Sequence, residues 1–83
     1  MNNFFISVGY GNIVAVSRIL SIAIPDSAPA KRDMAALRSA GLLRDYTKGR
    51  RTRALIYLDD GSAVTSGMLP ETLATRFVGR KNA

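Results

Sequence analysis

At Pro25 the spacing of apolar residues changes, and that change limits the folds open to the chain. Before it, Phe4 to Val8 (FFISV), Ile13 to Val16 and Ile19 to Ile24 are short runs rich in aromatic and β-branched residues, the composition of strands rather than of a helix. Between the first two runs, Gly9-Tyr10-Gly11-Asn12 marks a tight turn, because glycine takes positive φ without steric cost. Beyond Pro25, the stretch PDSAP has the signature of a helix start. Asp26 or Ser27 can cap free N–H groups, and Pro29 in the first turn sacrifices no helical hydrogen bond. From Ala30 the apolar positions recur at helical spacing through Met34, Leu37 and Gly41, with Lys31, Arg32, Asp33 and Arg38 mostly off that stripe, and Gly41 is the natural stop.

The period then returns to two. Leu42 and Leu43 anchor a connection, Lys48-Gly49 marks a turn, and Arg51 to Leu58 alternates, with Thr52, Ala54, Ile56 and Leu58 forming the better core face. Asp59-Asp60-Gly61 is a hairpin signal, and Ala63 to Met68 is the returning strand. Pro70 opens a last helix in which Leu73 and Phe77 stand four residues apart, and the polar tail GRKNA, residues 79–83, is expected to fray. These elements predict one α+β domain over residues 1–83, with antiparallel strands, one central helix and a short C-terminal helix. A chain of 83 residues buries only about 60–65% of the surface it exposes when unfolded, so a partner subunit would add stability.

Composition excludes several function classes. With no His and no Cys, the chain has no side chain that ordinarily titrates near neutrality, no thiolate nucleophile and no disulfide. No enzymatic activity, metal or organic cofactor is therefore expected, and the expected location is cytoplasmic. The apolar N-terminal stretch lacks a basic segment and a small-residue cleavage site, and no uninterrupted apolar run approaches about 18 residues, so neither a signal peptide nor a membrane span is expected. GYGNIV begins like a dinucleotide fingerprint, but Val14 stands where the third glycine belongs and strands rather than a helix follow. Lys48-Gly49-Arg50 has the wrong order for a phosphate-binding P-loop, and Asp59-Asp60 is accounted for by its turn.

What remains is charge. Twelve Lys and Arg residues against six Asp and Glu leave a net charge of +6, the footprint of a protein that meets phosphate or another anionic surface. Between residues 44 and 53, Arg44, Lys48, Arg50, Arg51 and Arg53 face one acid, Asp45, so four of those six net charges sit in ten residues. A solvated cluster protecting a strand edge is one reading. Arginine's planar fork, which donates bidentately to phosphate and to guanine edges, favours nucleic acid. Arg18, alone between two apolar runs, is either a buried ion-pair partner of Asp26 or Asp45, or an exposed residue at a strand end that joins the patch.

Taken together and in this order, GYGNIVAVSRILSIAIPDSAPAKR, KGRRTRALIYLDDG and LPETLATRF resemble the RemA family of small bacterial DNA-binding regulators, first associated with activating extracellular-matrix (biofilm) genes. The resemblance runs from about Phe4 to Phe77. It implies a non-enzymatic transcription regulator with double-stranded DNA as its partner, no small-molecule substrate, a fold similar to LytTR domains, and subunits assembled into a homo-oligomeric ring of six or more. It also implies that Arg18, Arg50 and Arg51 contact DNA, which moves Arg18 toward the patch. Lys48 and Arg53 add charge to the same surface, although related sequences often carry an aromatic or polar residue at the Lys48 position. A ring repeats weak phosphate contacts, and linked weak sites gain avidity of about 10² to 10⁴, enough to bend or wrap DNA with little base reading. Two other readings stay open: an RNA-binding or ribosome-associated module, opposed by the lack of an aromatic platform interleaved with the patch, and a structural ring protein whose patch only solubilises it.

Overall fold

The computed structural model describes residues 4–81, with side chains over residues 4–76. Among these the chain forms β1 (Phe5–Gly9), β2 (Asn12–Ala15), β3 (Ile19–Ala23), α1 (Ala28–Ser39), β4 (Leu43–Asp45), β5 (Ala54–Leu58), β6 (Ala63–Ser66) and α2 (Pro70–Lys81), with a short 3-10 turn over Val16–Arg18. The class is α+β. Strands β1 and β2 form an antiparallel hairpin. Ser27 is the cap of α1, its Oγ accepting the Ala30 N–H at 3.2 Å. At the other end Gly41 adopts φ +74, and the N–H groups of Gly41 and Leu42 donate to the carbonyls of Arg38 and Leu37 at 3.1 and 2.8 Å, the paired bonds of a Schellman stop.

Strands β3, β5, β6 and β4 make one sheet in that order. β5 is antiparallel to both neighbours, but β4 runs parallel to β6, pairing Leu43, Arg44 and Asp45 with Ala63, Val64 and Thr65. The expectation of antiparallel strands thus holds for all pairs but this one, and the connection expected at Leu43 is a strand. Helix α1 is the cause: a helical crossover can return the chain in its original direction, which a tight turn cannot.

Central position explains the burial of β5. Ala54, Leu55 and Ile56 are all fully buried. Ala54 and Ile56 pack with Ile6, Val8, Val14, Val64 and Leu73, beneath the β1–β2 hairpin and α2. Leu55 packs on the opposite face with Ala63 and Ala30, flanked by Met34 and Leu37 of α1. The alternation expected from Arg51 has one core face, whereas the strand begins at Ala54 and has two; each large side chain so buried is worth about 1.5–3 kcal/mol. Ser66 locks the hairpin to the sheet, its buried Oγ donating to the Val8 carbonyl at 2.7 Å and accepting the Met68 N–H at 3.0 Å.

The apolar N-terminal runs divide between interior and surface. Ile6, Val8 and Val14 are core, while Phe5, Ile13, Leu20 and Ile24 stand exposed. Leu73 of the C-terminal stripe is fully buried; the side chain of Phe77 and residues 82–83 lie outside the described residues. No helix among the described residues is long and apolar enough to cross a membrane.

Candidate nucleic-acid interface

The basic loop leaves β4 through a set of hydrogen bonds that fix its path. Asp45 Oδ1 accepts the Thr47 hydroxyl at 2.6 Å, the Thr47 N–H at 3.0 Å and the Thr65 hydroxyl at 2.9 Å. The bonds from Thr47, the hydroxyl foremost, hold the Asp45 carboxyl below the usual range, and Thr47 itself is buried. The Thr47 carbonyl then accepts the Arg50 N–H at 3.0 Å across Lys48 and Gly49, which have φ +53 and +78. Two successive left-handed residues are what a type I′ turn requires. The chain next enters the sheet as the Arg53 N–H donates to the Ser66 carbonyl at 2.8 Å.

Arg50, Arg51 and Arg53 are exposed and line one groove of about 500 Å³, completed by Gly9 and Tyr10 from the hairpin tip and by Gly67 and Met68 beyond β6. No carboxylate among the described residues lines it. Among the described residues none of the three arginines is ion-paired. Asp26 and Glu71 line a neighbouring hollow of about 260 Å³ that Arg51 and Arg53 also border. Lys48 is exposed on the turn that leads to the groove and does not line it.

Arg18 lies elsewhere. It precedes β3, whose first residue pairs with Leu58 at the far end of β5, so the five residues of β5, about 17 Å at 3.3 Å per residue, separate it from the groove. Its Nε donates to Asp59 Oδ1 at 2.9 Å, and the Asp59 N–H donates to the Arg18 carbonyl at 2.8 Å. The side chains are 58% and 42% exposed. Arg18 is thus exposed, as one of the two alternatives had it, yet paired, and its partner is neither Asp26 nor Asp45. Arg18 and Arg44 border a hollow of about 220 Å³ that also contains Asp60. Asp60 Oδ1 accepts the Ser62 hydroxyl at 2.6 Å and the Ser62 N–H at 3.0 Å, which hold its carboxyl below the usual range.

Of the five residues expected to contact DNA, one chain brings together Arg50, Arg51 and Arg53, places Lys48 at the margin and sets Arg18 apart. Sequence reasoning missed Tyr10, which stands beside the patch although it lies some forty positions upstream. A positive φ of +54 for a non-glycine residue, in a turn already provided with two glycines, is its structural signal. No group of three or more potential metal ligands occurs among the described residues.

Comparison with known proteins places the chain in a family. The family model described as RemA-like, extracellular matrix regulatory protein A-like, matches residues 5–77. A protein of Geobacillus sp. (strain WCH70), named for a regulatory role, is 49% identical over 75 residues, covering 90% of this chain and 86% of its own. Similarly named proteins of Synechococcus sp. (strain JA-3-3Ab) and Carboxydothermus hydrogenoformans are each 47% identical, over 98% and 94% of this chain and 91% and 90% of theirs. With both hydrophobic layers and the arginine groove inside the matched span, this chain belongs to the RemA-like family.

Proposed function

We propose that the protein is a transcription regulator that binds double-stranded DNA through the Arg50–Arg51–Arg53 groove, repeated around a ring of six or more subunits. The observation that carries this reading is the groove itself, with three exposed arginines and no carboxylate in its lining. Unpaired guanidinium groups need not give up a protein partner to meet a phosphate, and each phosphate neutralised releases condensed counterions. Arg18 adds a second cationic point at the far end of β5. The names of the Geobacillus and Synechococcus relatives support a regulatory role.

Self-association is supported by what the surface leaves uncovered. Leu20 and Ile24, on and just beyond edge strand β3, are 70% and 62% exposed, and Ile13 on β2 is 61% exposed. Among the described residues β3 has a single neighbour, β5, so its other edge offers backbone groups to another chain. A ring multiplies contacts that are individually weak at physiological salt and gives the DNA a curved path.

Duplex binding measured across a range of salt, alongside light scattering, tests the proposal. Arg50→Ala and Arg51→Ala are each expected to weaken binding about tenfold or more. The slope of log K against log salt should become shallower by about 0.9 for each phosphate left without its arginine, with the oligomer mass unchanged. Wild-type affinity and slope in both variants would remove the groove from the DNA surface, and a monomeric mass at micromolar concentration would remove the ring. Tighter binding to RNA than to duplex DNA of equal length would favour the RNA-binding alternative.

A further inference from the structure

The β1–β2 hairpin tip holds a side chain that the turn does not require. Tyr10 sits between Gly9 and Gly11 at φ +54, a conformation that L side chains rarely adopt. Asparagine or glycine would serve there with less strain. The Asn12 side-chain amide donates to the Gly9 carbonyl at 3.1 Å and to the Tyr10 carbonyl at 3.4 Å, fixing the tip. The ring is not core, being 48% exposed. It lines the same groove as Arg50, Arg51 and Arg53. Backbone strain held in place by a side-chain clamp, at the margin of a binding groove, points to a binding role.

We propose that Tyr10 is the aromatic contact of the DNA groove: the arginines hold a phosphate, and the phenol ring packs against the deoxyribose of the attached nucleotide. This inference rests on the DNA-binding reading above. Stacking closes the base faces of a duplex, but every nucleotide presents a sugar, so the contact tolerates sequence and complements a surface that otherwise engages the backbone. It also differs from the arginine contacts in one measurable respect. An uncharged ring displaces no counterions, so Tyr10 contributes affinity without contributing to the salt slope.

The test compares Tyr10→Asn, Tyr10→Phe and Tyr10→Trp with Arg51→Ala in full-length protein. Asparagine tolerates left-handed backbone, so Tyr10→Asn should keep the wild-type melting temperature and oligomer mass while losing about tenfold in duplex affinity, the share of the ring's apolar contact, at an unchanged salt slope. Tyr10→Phe should retain most of the affinity. The chain has no Trp, so Tyr10→Trp provides a single indole whose emission should be quenched on saturation with duplex DNA. Wild-type affinity in Tyr10→Asn, a shallower slope in that variant, or indole emission indifferent to duplex would each overturn the inference. Stronger affinity and quenching with single-stranded RNA would overturn its assignment to DNA. If Arg51→Ala weakens binding and Tyr10→Asn does not, only this inference falls; if the wild type binds no duplex, the DNA-binding reading falls with it.

Discussion

The two ends of β5 are built with the same local device and finish with different electrostatics. At each end an aspartate carboxylate accepts both the N–H and the hydroxyl of the residue two positions on, Thr47 for Asp45 and Ser62 for Asp60, at 3.0 and 2.6 Å in both cases. Beyond Asp45 the loop delivers three arginines to a groove without a carboxylate; beside Asp60 the chain sets Arg18 against Asp59. The contrast teaches that cationic side chains are made available or neutralised by the few ångströms around them, whatever the local count of charges. It also separates a candidate binding surface from a charge that already has a protein partner.

The strongest way to break the comparison is to loosen the groove end alone. Ser66→Ala leaves the Val8 carbonyl and the Met68 N–H without their hydroxyl partner in a buried site, at an expected cost of about 1–3 kcal/mol. The melting temperature should fall. Duplex affinity should fall with it, since the hairpin tip and Met68 help to form the groove.

Acid comes next in expected size. The folded-state pKa values of Asp45 and Asp60 are depressed, first by their Thr47 and Ser62 hydroxyl bonds, so the stability they contribute is present above the unfolded value near 3.9 and is lost as pH falls through the folded value. A melting series from pH 6 to pH 2 should therefore decline below about pH 4. Asp45→Asn should flatten that decline more than Asp60→Asn, because Asp45 also receives the Thr65 hydroxyl. Equal flattening would make the two ends energetically alike.

The smallest effect concerns the paired end. An exposed pair such as Arg18–Asp59 contributes roughly 0.2–1 kcal/mol, so Asp59→Asn should scarcely move the melting temperature. Freed of that partner, Arg18 should tighten duplex binding by up to about fivefold and steepen the salt slope. Weaker binding in Asp59→Asn would instead show that Asp59 orients Arg18 for its ligand.

Local signals carried much of the fold. The change of period at Pro25, the Ser27 cap, the Gly41 stop, the Gly9–Gly11 turn and the Asp59-Asp60-Gly61 hairpin are each written in a few adjacent residues, and each appears in the structure. What the sequence concealed is non-local. Three residues of β4 are too few to display an alternation, and their parallel partner lies twenty positions away. Leu55 is buried because β5 is flanked on both sides and covered on both faces, a property of the sheet and not of the strand. Arg50, Arg51 and Arg53 are neighbours in the chain, so their cluster was legible; Arg18 meets Asp59 from 41 positions away, and Tyr10 joins the arginines because the buried side chains of its hairpin and the Ser66 bond hold that hairpin on the sheet.

That serine bond has a consequence for when the surface exists at all. Ser66 and Val8 are 58 positions apart, and the groove draws on residues 9–10, on Arg50, Arg51 and Arg53, and on residues 67–68, so no early segment of the chain can form a working fragment of it. Closing contacts of such long range costs loop entropy before they reward it, which slows their formation. During synthesis an emerging chain has its arginines but not their groove until the hairpin docks on β6, and a partly unfolded subunit loses the groove as a whole. A ligand that engages the complete groove, as duplex DNA would under the proposed function, therefore favours the finished fold over the chain still being made, by mass action.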